Sequence, residues 1–425
     1  KVKDLSFNNP VDDINEIVKY MIRTGKPAYI TLPIDVAKIP VSKKIKENIP
    51  EILDKKISVR NDNKKLVNKL VSYLNTAQKP VVLVGHEIKN LQLGKYVEKF
   101  IKENKVPFTD LALGKCAVNE GLPQFIGTYN GDLSDESIKK VVDSSDLILS
   151  LGAKLTDFVT AMFTQSFDER KMISLNNNII SVFGESENYM DSYDFRECIS
   201  ELSNKKFNNN YIFDKKIEQN NFKLTPTNKP LTQDFYDKAL VNSLNQGETL
   251  VAESGTSFSG LSPMNLGNSV DFVGQPLWAS IGYSFPAMIG SQLADKDSRH
   301  ILSTGEGSLQ LTIQELGMLL KKHLNPVVFV INNNGYTVER LIHGMNASYN
   351  DVPELNYTLM PKAFGANNDQ FLTYNVNTEI DLINALKEAS LNKDKFILIQ
   401  VNMKYNDAPA SLAQLGEMIS NKNGK

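Results

Sequence analysis

The sequence predicts a multi-domain α/β fold in which open parallel sheets are flanked by helices. Strand-like apolar runs alternate with helix-like segments along most of the 425 residues, a pattern typical of parallel sheets with helical crossovers. The run at 327–331 is continuously apolar and β-branched, as expected of a strand buried on both faces. A chain of this length has material for two or three domains.

Changes in composition predict where these domains begin and end. The segments before and after the central domain are charged or rich in Asn and Lys and poor in apolar residues, which is typical of linkers. The predicted boundaries are 1–40 for the end of an N-terminal domain, 41–64 for a linker, 65–205 for a central α/β domain, 206–230 for a second linker and 231–425 for the last α/β domain.

Within these parts, apolar spacing predicts the individual elements. Residues 11–23 have helical spacing, and the apolar run at 28–33 indicates a buried strand. A long helix is predicted to begin at Ser308, with leucines and isoleucines at helical spacing. Further predicted helices lie at 95–103 and 137–142, and predicted strands at 80–85, 106–108, 147–152, 249–252, 300–303, 327–331 and 396–401.

Charge and cysteine content exclude several classes of protein. The 47 basic and 49 acidic side chains nearly balance, so no nucleic acid partner is expected. No apolar run is long enough to span a bilayer, so no membrane partner is expected either. The two cysteines, Cys116 and Cys198, are too few for a disulfide framework and favour a reducing, cytoplasmic location.

Two polar turns follow predicted strands of the last domain. A Gly-Glu-Gly run at 305–307 follows the strand at 300–303, and an asparagine cluster at 332–334 follows the strand at 327–331. Ligands of parallel sheets bind at the carboxyl ends of strands. We therefore expect both turns to lie on the same edge of one sheet.

The residue types in these turns suit a diphosphate bound together with a divalent cation. Gly305 and Gly307 permit close backbone approach, and Ser308 at a helix start can donate to an anion. Each turn alone would be weak support, but the two together, each at a strand end, favour a cofactor site. Hard oxygen ligands for Mg²⁺ are expected from Glu306, Asn333 and Gly335.

This run resembles the thiamine-diphosphate-binding motif, which begins Gly-Asp-Gly and ends Asn-Asn. The continuation Asn-Asn-Gly-Tyr-Thr-Val-Glu at 333–339 and the Ile-His-Gly at 342–344 are similar to the 2-oxo acid decarboxylases, which include pyruvate, indolepyruvate and phenylpyruvate decarboxylases. Residues 253–257 and 275–283 also match that family. The chain departs from it at Glu306, where the family usually has Asp.

The resemblance implies a thiamine-diphosphate-binding fold and an enzyme that converts a 2-oxo acid to an aldehyde and CO₂ without oxidation. It implies thiamine diphosphate and Mg²⁺ as cofactors and an aromatic or branched substrate. The family's N-terminal domain carries a glutamate that activates the cofactor, and residues 1–40 match only its last helix and strand. The resemblance further implies a homodimer or homotetramer with the site at a subunit interface.

The resemblance also implies roles for individual residues. Glu339 is the expected catalytic acid, and its neighbour Arg340 is interpreted as a structural ion-pair partner. Core packing alone would also explain Ile281 and the apolar pocket residues. The expected pocket residues are Val338, Ile342, Leu415 and Ile419. The expected cofactor contacts are Thr256, Ala279, Ser280, Ile281, Gly305, Gly307, Ser308, Asn333, Gly335, Tyr336 and Thr337.

Other functions remain as alternatives. Pyruvate could be the substrate, or the chain could be a carboligase of the acetolactate synthase type, although the 333–339 run argues against the latter. A non-catalytic relative with a degraded site is favoured slightly by Glu306, but the presence of Glu339 and Asn333 argues against it. A nicotinamide-binding protein is disfavoured, because Gly85 lacks the glycine spacing of a dinucleotide loop.

Overall fold

The computed structural model describes most of the chain. The described residues are 1–41, 59–177, 179–187, 193–213, 222–267 and 269–422. Parts of both predicted linkers therefore lie outside the described residues. None of the described helices combines the length and apolar character that crossing a membrane requires.

The described residues form fifteen strands and fifteen α-helices. The strands are β1 (Val2–Asp4), β2 (Tyr29–Thr31), β3 (Pro80–Val84), β4 (Phe108–Asp110), β5 (Phe125–Thr128), β6 (Leu147–Leu151), β7 (Met172–Leu175), β8 (Ile180–Val182), β9 (Glu185–Glu187), β10 (Thr249–Ala252), β11 (Asp271–Gly274), β12 (His300–Gly305), β13 (Val327–Asn332), β14 (Phe371–Val376) and β15 (Phe396–Asn402). The helices are α1 (Pro10–Thr24), α2 (Asn61–Thr76), α3 (His86–Asn90), α4 (Gly94–Asn104), α5 (Glu136–Asp143), α6 (Phe195–Leu202), α7 (Gln233–Ser243), α8 (Thr256–Leu261), α9 (Ser284–Ala294), α10 (Glu306–Gln310), α11 (Leu316–Lys321), α12 (Thr337–His343), α13 (Met360–Ala363), α14 (Glu379–Leu391) and α15 (Ala410–Lys422).

The chain divides into two compact units that interleave along the sequence. The first unit consists of Lys1–Pro107, Ser145–Lys154 and Asp168–Ile212, and the second of Phe108–Ser144, Leu155–Phe167 and Phe213–Lys425. The domain boundaries predicted from composition stay a prediction.

A mixed sheet forms the centre of the first unit. Strands β3, β6, β7, β8 and β9 lie in that order. The first three are parallel, whereas β8 and β9 are antiparallel. β3 and β6 are buried along their whole length, which explains why their sequences are almost entirely apolar.

The strand predicted within 28–33 is observed at Tyr29–Thr31, but the prediction that it is buried is wrong. Among the described residues β2 pairs with β1 alone in a two-stranded sheet, and Tyr29 is 67% exposed. One helix, α1, accompanies these strands and buries Ile17. A sheet of two strands offers too little surface to cover both of its faces.

A six-stranded parallel sheet forms the centre of the second unit, in the order β11-β10-β12-β13-β15-β14. Alternate residues of β13 pack into opposite cores: Phe329 and Ile331 join α7, α8 and α14 on one face, and Val328 and Val330 join α9, α10 and α11 on the other. Helices on both faces explain why the strand is continuously apolar. The sequence-based fold class is confirmed.

Three details of this unit differ from prediction. The strand predicted at 106–108 is observed two residues later, at Phe108–Asp110. The edge strands β11 and β14 were not predicted, because only one side of an edge strand is paired and their burial is incomplete. The long helix predicted from Ser308 is broken into α10 and α11. At the break, the Thr312 hydroxyl donates to the carbonyl oxygen of Gly282 (2.9 Å).

Candidate active site

The Gly-Glu-Gly and asparagine turns lie side by side at the carboxyl edge of the six-stranded sheet. β12 and β13 are parallel neighbours, with Gly305 opposite Ile331. The Oε1 atom of Glu306 accepts hydrogen bonds from the backbone N–H groups of Asn333 (3.2 Å) and Gly335 (2.7 Å). The expectation that both turns share one edge of one sheet is confirmed.

The side-chain amide of Asn333 is held in one orientation. The Thr337 hydroxyl donates its only proton to the carbonyl oxygen of Tyr405 (3.0 Å). It therefore accepts from the Asn333 Nδ2 group, 3.0 Å away. The Asn333 amide oxygen faces the opposite way; it is buried and has no hydrogen-bond partner among the described residues. A buried oxygen without a partner costs free energy, and a cation at this position would remove that cost.

The Glu306 carboxyl group is 2% exposed. Burial raises its pKa to about 7, although hydrogen bonds from the backbone N–H groups of Gly335 and Asn333 oppose this. A cation beside the group would favour the ionised form. The Glu306 carboxylate and the Asn333 amide oxygen together therefore fit a hard divalent cation such as Mg²⁺.

No cluster of three or more His, Cys, Asp and Glu side chains suited to a metal occurs within the described part of the chain. Other ligands of a cation at Glu306 would therefore come from backbone carbonyls, water or a bound cofactor. This composition is typical of Mg²⁺ sites that are shared with a phosphate ligand.

The two glycines of the first turn have different surroundings. A Cβ atom on Gly305 would meet no atom within 4 Å, so the backbone there is open to a ligand. A Cβ atom on Gly307 would lie 2.5 Å from the ring of Tyr336. The observed position of that ring therefore requires glycine at 307. Helix α10 begins at Glu306 and not at Ser308, and it has five residues. The helix dipole therefore contributes little here, and an anion would depend on individual N–H and hydroxyl donors.

Arg340 fixes the loop after β13. Its Nη2 group donates to the carbonyl oxygen of Asn334 (2.6 Å) and to the carboxylate of Asp351 (2.8 Å). Gly335 has a φ of +135°, and a Cβ atom there would lie 2.0 Å from the carbonyl oxygen of Asn350. Only glycine fits this position. The interpretation of Arg340 as a structural ion-pair partner is confirmed.

A cavity of about 300 Å³ lies against both turns. It is lined by all but one of the predicted cofactor residues, the exception being Ser280, whose hydroxyl accepts from the side chain of Gln275. The predicted cofactor residues that line it are Thr256, Ala279, Ile281, Gly305, Gly307, Ser308, Asn333, Gly335, Tyr336 and Thr337.

Apolar side chains border the other end of the cavity. Ile281 lines it and is 43% exposed, so ordinary core packing does not explain this residue. Ala279 adopts a φ of +46°, which turns the chain sharply before Ile281. Trp278 is 77% exposed. This segment presents apolar surface instead of burying it.

Glu253 anchors that segment, a function that sequence analysis missed. Its carboxylate accepts from the backbone N–H groups of Ser254 (2.9 Å), Gly282 (3.1 Å) and Ser284 (3.3 Å). Burial raises the pKa of the group. Glu253 directly follows β10, just as Glu306 directly follows β12. A carboxylate at the end of a buried strand is the pattern that could have identified it.

The predicted substrate pocket is only partly reproduced. Val338 lines the cavity as expected, and two residues that were not predicted, Phe158 and Leu412, line it as well. The remaining three predicted pocket residues are not among the lining residues: Ile342, Leu415 and Ile419.

Helix packing explains why Leu412, and not Leu415, lines the cavity. Gly416 of α15 packs closely on α12, since a Cβ atom there would lie 3.0 Å from the Cβ atom of Leu341. Leu415 instead lines a smaller neighbouring cavity together with Phe258. Leu412 lies one turn earlier on α15 and lines both cavities.

Glu339 lies on α12 and lines the cavity. Its side chain is 47% exposed, and one carboxylate oxygen lies 3.4 Å from the Nε2 atom of His343. The Glu339 side chain is thus far more accessible than that of Glu306.

Two family models match the chain. One, described as "Thiamine pyrophosphate enzyme, central domain", matches residues 67–188. The other, "Thiamine pyrophosphate enzyme, C-terminal TPP binding domain", matches residues 260–401, which include both turns. The class defined by fold and site is therefore that of the thiamine pyrophosphate enzymes.

Individual relatives narrow this class. An alpha-keto-acid decarboxylase of Mycolicibacterium paratuberculosis is 30% identical over 405 residues, which are 95% of this chain and 70% of the relative. A pyruvate decarboxylase of Aspergillus fumigatus is 32% identical over 423 residues, covering 96% and 72%. The chain belongs to the thiamine-diphosphate-dependent 2-oxo acid decarboxylase family, whose members are carboxy-lyases. The resemblance and enzyme class predicted from the sequence are confirmed.

Proposed function

We propose that this chain holds thiamine diphosphate through Mg²⁺ and decarboxylates an aromatic or branched 2-oxo acid to the corresponding aldehyde. The observation that carries the proposal is the unpartnered amide oxygen of Asn333, next to the buried Glu306 carboxylate that contacts the same loop. Both groups gain from a divalent cation, and the open backbone at Gly305 admits a diphosphate.

At the end of the cavity next to Glu306 and Asn333, the residues would bind the cation and orient the diphosphate. Glu306 and Asn333 would ligate the cation, and a backbone carbonyl of Gly335 would complete the protein ligands. Ser308 lines the same space and would add a hydroxyl donor for the diphosphate, whereas the Thr337 hydroxyl, which already donates to Tyr405, orients Asn333. Burial of Glu306 and Asn333 keeps water from competing for the cation.

At the end of the cavity next to Ile281 and Glu339, the residues would position the reacting part of the cofactor and supply a proton. When bound, thiamine diphosphate supplies the nucleophilic carbon and the electron sink for the release of CO₂. Ile281 would contact the cofactor, and Glu253 holds the segment that carries Ile281 in place by accepting from the backbone N–H groups of Gly282 and Ser284. Glu339 would serve as the proton donor at this end, because its side chain lines the cavity and is open to solvent.

The preference for a larger substrate rests on the apolar wall of the cavity. Phe158, Ile281, Val338 and Leu412 line it, and an aromatic or branched side chain buries more apolar area against them than a methyl group does. Pyruvate is the second candidate, because a pyruvate decarboxylase is among the relatives.

A two-stage experiment tests the proposal. Thiamine diphosphate is first titrated into the chain with Mg²⁺ and, as a control, with EDTA; we expect saturable binding only with Mg²⁺. Aldehyde formation is then measured with phenylpyruvate, indolepyruvate, 2-oxoisovalerate and pyruvate. The larger acids should have the higher kcat/KM, and a maximum for pyruvate would overturn the substrate assignment. Saturable binding that yields no aldehyde from any acid would favour a non-catalytic relative.

Exposed apolar side chains at the end of the cavity next to Ile281 support a homo-oligomer, either a dimer or a tetramer. Trp278, Ile281, Tyr283 and Leu311 are all exposed, and such a group of large apolar side chains favours contact with another protein surface. We propose that a second copy of the chain covers them. Sedimentation equilibrium of the wild type and of Trp278→Glu tests this, with the variant expected to shift towards monomer.

A further inference from the structure

Three buried hydroxyl groups form a chain that ends at the cavity. The Tyr236 hydroxyl on α7 lies 2.7 Å from the Ser303 Oγ atom on β12. Ser303 Oγ in turn lies 2.8 Å from the Oγ atom of Ser257 on α8. All three side chains are almost fully buried, and Ser257 lines the cavity. Neither Tyr236 nor Ser303 does.

The hydrogen bonds in this series of hydroxyl groups are all donated in the same direction, from Tyr236 towards the cavity. Tyr236 packs in an apolar core, with its ring 5.8 Å from that of Phe329. Burial raises the pKa of the Tyr236 hydroxyl well above its ordinary range, so it keeps its proton. Its hydrogen-bond partner within the described part of the chain is Ser303, which must accept this proton, because a buried phenol proton without an acceptor is costly.

The direction of the first bond fixes that of the next. Ser303 has one proton, and it donates that proton to Ser257 Oγ. The Ser257 oxygen is then an acceptor in this bond, and its own proton is left to point elsewhere. Among the described residues, no acceptor for that proton is found. The cavity is the space that Ser257 lines.

Ser257 therefore offers a proton to something in the cavity. Ser303 lies two residues before Gly305 on β12, about 7 Å along the strand, so its partner Ser257 is close to the turn proposed to hold a diphosphate. A diphosphate is rich in acceptor oxygens and carries no donor at neutral pH. Hydrogen bonds within a chain of this kind also strengthen one another at low dielectric.

We propose that Ser257 donates a hydrogen bond to a diphosphate oxygen of the cofactor, and that Tyr236 and Ser303 are positioning residues that orient its hydroxyl. This inference rests on the proposed cofactor site. It adds to that site the series of three hydrogen-bonded hydroxyl groups, of which only that of Ser257 belongs to a residue lining the cavity. Tyr236 contributes to cofactor affinity without touching the cofactor. Its effect passes through Ser257 alone.

A double-mutant cycle tests this coupling. Thiamine diphosphate is titrated with saturating Mg²⁺ into the wild type, Tyr236→Phe, Ser257→Ala and the double variant. Trp278 is the single tryptophan of the chain and lies in the segment that borders the cavity, so its fluorescence reports binding. We expect Tyr236→Phe to raise Kd about three- to tenfold in the wild-type background, the size of one hydrogen bond, and less than about 1.5-fold in the Ser257→Ala background.

Tyr129→Phe is the matched control. Tyr129 is another fully buried tyrosine of the same unit, and its hydroxyl donates to Asp143 (2.7 Å), away from the cavity-lining residues. It should lower the thermal midpoint while leaving Kd unchanged. Ser303→Ala provides a second break in the chain and should match Tyr236→Phe in its effect on Kd.

The outcomes separate the two proposals. If the wild type does not bind thiamine diphosphate, the proposed function fails. If the wild type binds and Tyr236→Phe weakens binding equally in both backgrounds, Tyr236 acts through general packing and the chain of hydroxyls has no such role. An unchanged Kd in Tyr236→Phe would also overturn the inference.

Discussion

The two ends of the cavity differ in how completely the described residues enclose them. At one end, Glu306 and Asn333 are buried and held by backbone and side-chain hydrogen bonds. At the other end, Glu339 and Ile281 are 47% and 43% exposed. The closed end is preorganised for binding, whereas the open end offers accessible side chains to a substrate or to a second copy of the chain.

This contrast predicts that binding and turnover can be separated by mutation. Substitutions at the closed end should change affinity for the cofactor and its cation. Substitutions of the residues at the open end that are not proposed to hold the cofactor, such as Glu339, should change turnover or specificity while leaving cofactor affinity nearly intact. Mutations of these residues that weaken cofactor binding as strongly as those at the closed end would contradict the contrast.

The largest expected effect is at Glu339. Glu339→Gln removes the proposed proton donor and should lower kcat by about 10²- to 10⁴-fold. Cofactor Kd should stay within about twofold of wild type, because a half-exposed side chain contributes little binding energy. Steady-state kinetics and cofactor titration check both numbers. Glu354→Gln, an exposed glutamate outside the cavity lining, serves as the control and should behave as wild type.

A smaller effect is expected at Glu306. Glu306→Gln removes the charge that faces the cation and should weaken Mg²⁺-dependent cofactor binding by about 10- to 100-fold, the size of a lost charge-assisted contact. Glu306→Asp, which restores the residue usual in the family, keeps the charge and should bind within about threefold of wild type. Equal affinity for Glu306→Gln and wild type would remove Glu306 from the cation site.

The raised pKa of Glu306 should make the metal-free protein sensitive to pH. The folded state keeps a proton on this carboxyl group up to about pH 7, whereas an unfolded carboxyl group releases it near its ordinary pKa. The stability contributed by the protonated group is therefore fully present below the unfolded pKa and is lost as pH rises to about 7.

Chemical denaturation without metal at several pH values measures this contribution. The wild type should lose about 1–3 kcal/mol more than Glu306→Gln between pH 5 and pH 8. Mg²⁺ and thiamine diphosphate at pH 8 should restore the loss in the wild type only. Parallel pH profiles for the two proteins would show that Glu306 is not the group responsible.

The smallest predicted effect concerns specificity. Phe158→Ala removes an aromatic wall from the cavity and should change the ratio of kcat/KM for phenylpyruvate to that for pyruvate by about three- to tenfold. Phe158→Leu is the control, because it keeps a large apolar side chain at this position, and it should retain most of the preference for phenylpyruvate over pyruvate. An unchanged ratio in both variants would place the substrate side chain elsewhere.

The closed end could be predicted from the sequence because it depends on local features. A continuously apolar strand followed by asparagines and a glycine fixes where β13 ends, and the same holds for β12 and the Gly-Glu-Gly turn. Once both strands belong to one parallel sheet, both turns lie on the same edge of that sheet. The observed pairing of β12 with β13 then brings Glu306 and Asn333 close together.

The open end was less predictable because it depends on tertiary packing. Phe158 is distant in sequence from the other cavity residues, and no local pattern marks it. Leu412 and Leu415 have the same helical spacing, and the close contact of Gly416 with Leu341 decides which of them reaches the cavity. The position of Glu253 directly after β10 could mark it as a site residue, but its backbone partners lie 29 and 31 residues away, so a local pattern cannot show which segment it holds.

A crystal structure of the chain grown with thiamine diphosphate and Mn²⁺ in place of Mg²⁺ tests the cation site most directly, because anomalous scattering locates Mn²⁺ without ambiguity. We predict one anomalous peak that contacts both a carboxylate oxygen of Glu306 and the amide oxygen of Asn333, at about 2.0–2.4 Å from each. A peak that contacts neither residue, with thiamine diphosphate bound elsewhere, would contradict the account.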